Sequence, residues 1–230
     1  MHYVVGDVHG CFNEMMKMIN QINEQDENAK FIFVGDFIDR GPDTLKVLNW
    51  CLENIKPNGK YQSVVGNHEY MVIEWYHTLF LNRLDEIPRT QYDFSMVVKE
   101  NELDSEEKLY PYIKWMESLP VYIDLTINEK KYRIVHAWYP MDERNPSTWF
   151  CGWHRNSRGN FVDDTTIIHG HTPTISHPYD YGLNGDRIGK ICYRPNSINI
   201  DGGCVFGTWY PNCHLCALCL ETQEEFYIPN

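Results

Sequence analysis

The sequence predicts a strand-rich α/β fold with two sheets. Three observations carry that expectation. The chain opens with three apolar runs of one rhythm, HYVVGD, FIFVGD and SVVGN, each ending in Gly followed by Asp or Asn. Segments with apolar residues at helical spacing separate these runs. After Pro120 a series of short runs rich in Val and Ile reads as strands.

Each element follows from its pattern. CFNEMMKMINQI sets Phe12, Met15, Met16, Ile19 and Ile22 at helical spacing, and PDTLKVLNWCLENI does the same with Leu45, Leu48, Trp50, Leu52 and Ile55. The alternation strand, helix, strand, helix, strand implies a parallel sheet, whose buried strands are apolar throughout. From Glu69 to Leu119 the character changes. MVIEWYHTLFLNRL and SEEKLYPYIKWMESL read as helices and the charged stretch between them as a surface loop, so a helical insertion is expected over about 70–119. VYIDLTI, KYRIVHA, TTIIHGH, INIDGG, HLCALCLE and EEFYI are the later strands, with NEK as a hairpin turn. A length of 230 residues suits one domain over 1–230, with that insertion.

Composition narrows the function. Apolar residues make up 43% and charged residues 23%, as in globular chains. The net charge of −12 argues against a general nucleic-acid binder. It leaves room for a phosphate-bearing substrate, because carboxylates that hold metal ions form a positive site once loaded. No apolar run is long enough to span a bilayer, and the start lacks a basic stretch with a cleavage site. A soluble cytoplasmic protein is therefore expected. Of eight cysteines, Cys213, Cys216 and Cys219 form CHLCALC beside His214. Zinc binding is one reading, with only Cys204 nearby to add to it. An amphipathic strand filled by small apolar thiols is the preferred one, and free thiols fit better than disulfides.

The polar residues at the strand ends are metal-ligand types. HYVVGDVH supplies Asp7 and His9, FIFVGD supplies Asp36, and SVVGNH supplies Asn67 and His68. YRIVHA supplies His136, and IIHGH supplies His169 and His171. Ligands of open α/β sheets bind beyond the carboxyl ends of the strands, so these residues are expected to converge. Carboxylates, imidazoles and an amide oxygen suit manganese, iron or zinc. Two ions held close together need a shared anionic ligand, and Asp36 is placed to bridge them. Gly6, Gly35 and Gly66 precede the ligands, where the backbone must turn tightly.

GDVHG, GDFIDRG, GNHE, HA and GHTP, in that order, resemble the metallophosphoesterase signature of the phosphoprotein phosphatase family, and within it the short bacterial and bacteriophage, lambda-phosphatase-like branch. The likeness spans residues 5 to about 206 and includes WHR and IDGGCVFG. It implies a calcineurin-like fold, a two-sheet β sandwich flanked by helices. It also implies two divalent ions, manganese first and iron or zinc as alternatives. Asp7, His9 and Asp36 would hold one ion, and Asp36, Asn67, His136 and His171 the other. His171 stands at the GHTP position and His169 is expected as a strand histidine beneath the site.

Two such ions lower the pKa of a shared water until hydroxide exists near neutral pH, and hydroxide attacks phosphorus in line with the leaving oxygen. Arg40 would clamp the phosphoryl oxygens with its planar fork. The resemblance makes Arg155, in WHR, the second clamp, with Arg158 in reserve. His68, next to Asn67, is the natural general acid, and the resemblance assigns its orientation to Asp39. Glu69 would support the loop by hydrogen bonds. These calls describe a hydrolase of phosphomonoesters, first a protein Ser/Thr phosphatase that also accepts phosphotyrosine, with dinucleoside polyphosphate hydrolysis as the alternative. Partners would be a phosphoprotein or a phosphorylated small molecule. The alternative needs an adenine platform, for which Trp75, Tyr76, Trp138, Tyr139 and Trp149 are available, although packing is the commoner use of such rings. Trp138 in HAWYP would narrow the mouth of the site.

Overall fold

The computed structural model describes residues 1–80, 103, 105–139, 148–154, 164–176 and 182–230. Two five-stranded sheets stack as a sandwich with helices outside. The first sheet contains β1 (His2–Val5), β2 (Lys30–Phe33) and β3 (Tyr61–Ser63), parallel to one another, joined through α1 (Phe12–Gln25) and α2 (Thr44–Asn54). This is the expected crossover unit. The third strand sits earlier than SVVGN suggested, because the Val65 amide leaves the ladder for the Pro120 carbonyl at 2.9 Å.

The first helix of the insertion is α3 (Asn67–Phe80) and its partner is α4 (Glu106–Glu117), which pack on one another. Ser105 caps α4 by accepting from the Lys108 amide at 3.4 Å. The charged stretch between them falls almost wholly outside the described residues. The second sheet follows, with β4 (Tyr122–Ile127) and β5 (Lys130–Val135) as an antiparallel hairpin. Asn128 and Glu129 both take the left-handed conformation, as a two-residue hairpin turn requires. A short α5 (Thr148–Trp153) leads on to β6 (Thr166–His169), β7 (Cys192–Arg194) and β8 (Ser197–Asn199). Strands β5, β6 and β8 are parallel and β7 is antiparallel to β8. The chain then returns to the first sheet as β9 (His214–Cys219) and β10 (Glu225–Pro229), with β9 antiparallel to β1. Neither α5 nor β7 was expected; both are too short to show a period.

Strand alternation divides the core. Tyr3, Val5, Phe31 and Phe33 face the helices and meet Met15, Met18, Ile22 and Leu48. Val4, Ile32 and Val34 face the second sheet and meet Tyr132, Ile134, Ile168 and Ile198. Each such side chain, fully buried, contributes about 1.5–3 kcal/mol. CHLCALC obeys the same period. Leu215, Ala217 and Cys219 join the helix-side core, while Cys216 and Leu218 join the sandwich interior. The cysteines fill strand positions, as the preferred reading held.

Candidate metal centre and active site

Six parallel strands aim their carboxyl ends at one place. Asp7 and His9 follow β1, Asp36 follows β2 and Asn67 follows β3. His136 follows β5 and His171 follows β6. Asp201, beyond β8, completes the ring. The sequence pattern INIDGG carries that aspartate without a part assigned to it; its place at the end of the run INI was the available signal. Apart from His171, these side chains are all buried.

Asp36 is the centre. Its Oδ2 lies 3.3 Å from His136 Nε2, 3.5 Å from His9 Nε2 and 3.9 Å from His68 Nε2. Its Oδ1 accepts the His68 backbone N–H at 3.0 Å, at the N-terminus of α3, where free amides and the helix dipole favour an anion. Two groups of ligand atoms share Asp36. His9, Asp36 and His68 form one, and Asp36, His136 and His171 the other, each within 4.8 Å. Asn67 Oδ1 lies 2.8 Å from both His136 Nε2 and His171 Nδ1, so the amide oxygen joins the second group. Asp7 belongs to neither group. It accepts the His171 backbone N–H at 3.1 Å.

The residues fit a pair of divalent ions. Nδ1 of His9 donates to the Ile38 carbonyl at 2.8 Å and Nδ1 of His136 donates to the Val34 carbonyl at 2.8 Å. Each bond fixes Nδ1 as the donor and turns Nε2 toward the centre, the orientation from which a ring that gives up its Nε2 proton could hold a metal. The electrostatics agree. Burial would raise the Asp36 carboxyl, but the facing His136, His68 and His9 hold it well below the usual range. Burial lowers His136, yet Asp36 and Asp7 outweigh it and bring the imidazole up to about 10. Burial, helped by the facing His68 and Arg40 and opposed by Asp36, pushes His9 well down. Asp7 is driven well up by burial and by the negative neighbours Asp201 and Asp36. Several buried carboxylates that repel one another are what a dication relieves.

Glu69 does the work expected of it by hydrogen bonding. Oε2 accepts from the Asp36 and Gly66 amides at 2.9 and 3.0 Å, and Oε1 from the Phe37 amide at 2.8 Å. The bridge loop is thus tied to the first turn of α3. Gly66 packs so closely that a Cβ there would collide with the Asp36 carboxylate and amide. Backbone strain gathers at the centre: His9, Asp36, Asp39, Arg40 and His171 all have positive φ.

His68 Nδ1 meets Asp39 Oδ2 at 2.6 Å with both side chains buried. The Asp39 carboxylate therefore faces one ring nitrogen while Nε2 faces the centre. Arg40 is exposed at the rim and its guanidinium reaches His9 Nε2. Arg155 and Arg158 lie outside the described residues, and Trp149 is described only in its place in the α5 main chain. His169 is buried, with Nδ1 donating to the Gly170 carbonyl at 3.2 Å, and burial brings it down to about 4. One expectation is corrected, and for the other rings packing, their commoner use, holds. Trp138 does not narrow the mouth; it is 4% exposed and packs edge-on against His169. Tyr76 and Tyr139, each 3% exposed, are core residues and offer no open face to a base, and Trp75 packs against the same core as Tyr76.

A calcineurin-like sandwich with two metal-binding groups on one carboxylate defines a metal-dependent phosphoesterase. The chain belongs to the calcineurin-like phosphoesterase family, which matches residues 3–206. It is 28% identical over 260 aligned positions to the asymmetrical bis(5′-nucleosyl)-tetraphosphatase PrpE of Anoxybacillus flavithermus, covering 99% of this chain and 93% of that protein. It is 32% identical over 145 positions to serine/threonine-protein phosphatase 2 of Salmonella typhimurium, covering 61% of this chain and 59% of that one. A protein serine/threonine phosphatase structure from Saccharomyces cerevisiae superposes with a TM-score of 0.63 at 16% identity, over 100% of this chain and 79% of its own. That likeness is one of fold. Among the described residues no helix is long and apolar enough to cross a membrane.

Proposed function

We propose that the chain hydrolyses dinucleoside polyphosphates, with diadenosine tetraphosphate as the representative substrate. One observation carries this reading above the sequence-based preference for phosphoproteins: the match to a bis(5′-nucleosyl)-tetraphosphatase runs nearly end to end in both proteins. The second reading, a protein Ser/Thr phosphatase of the bacterial and bacteriophage branch, draws support from the likeness to phosphatase 2.

Both readings use the same residues. Asp7, His9, Asp36, Asn67, His136 and His171 would hold two divalent ions, manganese by preference for a mixed oxygen and imidazole set. When bound, the ions supply Lewis acidity and an activated water. The chain supplies the rest. Arg40 sits where a planar fork can grip phosphoryl oxygens outside the buried centre. His68, held by Asp39 on one side, presents Nε2 toward the centre and would give its proton to the leaving oxygen. Glu69 and the helix N-terminus keep Asp36 fixed, so little reorganisation is needed as charge develops.

The deciding experiment gives purified protein with added manganese diadenosine tetraphosphate, a phosphoserine peptide and a phosphotyrosine peptide in parallel. A kcat/KM for the dinucleotide at least tenfold above either peptide is expected. The reverse order overturns the first reading in favour of the second.

A further inference from the structure

We propose that Trp209, backed by Phe206, is a nucleobase-stacking platform at the rim of the metal centre, holding one base of a dinucleoside polyphosphate; this rests on the substrate reading above. Of the aromatic residues singled out in the sequence, Tyr76, Trp138 and Tyr139 are buried and Trp75 is partly buried against the core. The structure offers a different row of rings. Beyond β8 and Asp201 the chain makes a tight turn at Cys204–Phe206. The Gly203 amide donates to Asp201 Oδ1 at 2.9 Å, which ties the turn to the centre. The Phe206 carbonyl then accepts the Trp209 and Tyr210 amides at 2.9 and 3.0 Å, so the indole-bearing segment is held.

Arg40 connects this row to the phosphate site. Its guanidinium lies over the Phe206 ring, 5.9 Å from the centroid. Phe206 lies 6.0 Å from Trp209, ring centroid to centroid, at 38°. Phe206 is half-buried against the core, while Trp209 is 68% exposed, more than any other large apolar residue among those described. A cation that grips phosphoryl oxygens therefore passes directly to a braced π surface that is open to solvent. A polyphosphate on Arg40 carries a ribose and a flat base outward in the same direction. Base-on-indole stacking accepts any base, because each has a π face. A phosphoserine or phosphothreonine peptide has no planar group near its phosphate, so the row of rings favours the nucleotide over these.

The test uses the manganese-loaded protein and the variants Trp209→Ala and Trp209→Phe. It measures KM and kcat for diadenosine tetraphosphate, and Ki for inorganic tripolyphosphate, a competitor without a base. Trp209→Ala is expected to raise KM about 5- to 150-fold, the range of lost base stacking, with kcat and the tripolyphosphate Ki within about twofold. Trp209→Phe is expected to recover most of the KM. An unchanged KM in Trp209→Ala, or equal rises in KM and Ki, overturns the platform. So does a change in sedimentation that shows Trp209 covered by a second copy of the chain. Failure of the unsubstituted protein to turn over the dinucleotide overturns the substrate reading instead, and is seen before any variant is made.

Discussion

Nδ1 of His68 lies 2.6 Å from Oδ2 of Asp39, and the opposite ring nitrogen, Nε2, lies 3.9 Å from the Asp36 carboxylate that both groups of ligand atoms share. One imidazole thus stands between an orienting carboxylate and the metal centre. As a proton donor it is needed for turnover; as a ligand it would be needed for metal. His68→Asn should lower kcat by about 10²- to 10⁴-fold while metal content by elemental analysis stays near two ions per chain. Loss of an ion would make His68 a ligand. Asp39→Asn should give a smaller loss of kcat, because it removes the carboxylate that holds the His68 ring in place.

Glu69 satisfies three buried amides at once. Glu69→Ala leaves all three without acceptors, at about 1–3 kcal/mol each. Urea unfolding of the metal-free protein should show a loss of several kcal/mol, and Glu69→Gln a smaller one. Gly66→Ala should act more locally. Its methyl must displace the Asp36 carboxylate, so calorimetric titration with manganese should show weakened binding in a chain that still folds.

Arg40 is exposed, so its removal should leave the fold intact. Arg40→Ala is expected to raise KM and lower kcat together, for about 2–4 kcal/mol of lost transition-state stabilisation. Arg40→Lys should recover little, since an ammonium cannot reproduce the planar fork. Equal kinetics in the alanine variant would remove Arg40 from the phosphate site.

Asp201 sets a pH dependence on the metal-free protein. Burial, opposed by the Gly203 amide and Arg40, pushes its carboxyl from the ordinary 3.8 up to about 6. Between these values the folded state holds the proton that the unfolded state has lost. Stability therefore falls as pH rises through that window and stays reduced above it. Asp201→Asn should raise the stability of the metal-free protein at pH 7.5, and with it the Tm, by a free energy on the order of 1–3 kcal/mol, and the gain should vanish near pH 4. Thermal melts across that range check it. A gain that is constant with pH would show that charge is not the cause.

Much of this was legible beforehand because parallel strands write their ends into sequence. An apolar run with no alternation, then Gly, then Asp, Asn or His, fixes both the strand and the place where its ligand projects, which is why Asp36, Asn67 and His136 could be located one by one. The hydrogen-bonding part of Glu69 followed from its place in the turn after Asn67. Solvent exposure of the rings was not legible. Trp138 and Trp209 are the same residue type in similar short polar contexts, and only packing of the second sheet against α5 buries the first. The antiparallel return of β9 beside β1 was equally hidden, since alternation states that a strand exists and not which edge it joins.

The five left-handed residues of the centre have a consequence for engineering. Such conformations cost about 1–3 kcal/mol each for residues other than glycine. Arg40, exposed and at φ 68°, is the clearest case. Glycine at that position would relax the main chain and toughen the protein while blunting its grip on substrate. A screen that selects only for heat resistance should therefore drift toward glycine there. The variants it returns would be hardy, well expressed and poor at their chemistry.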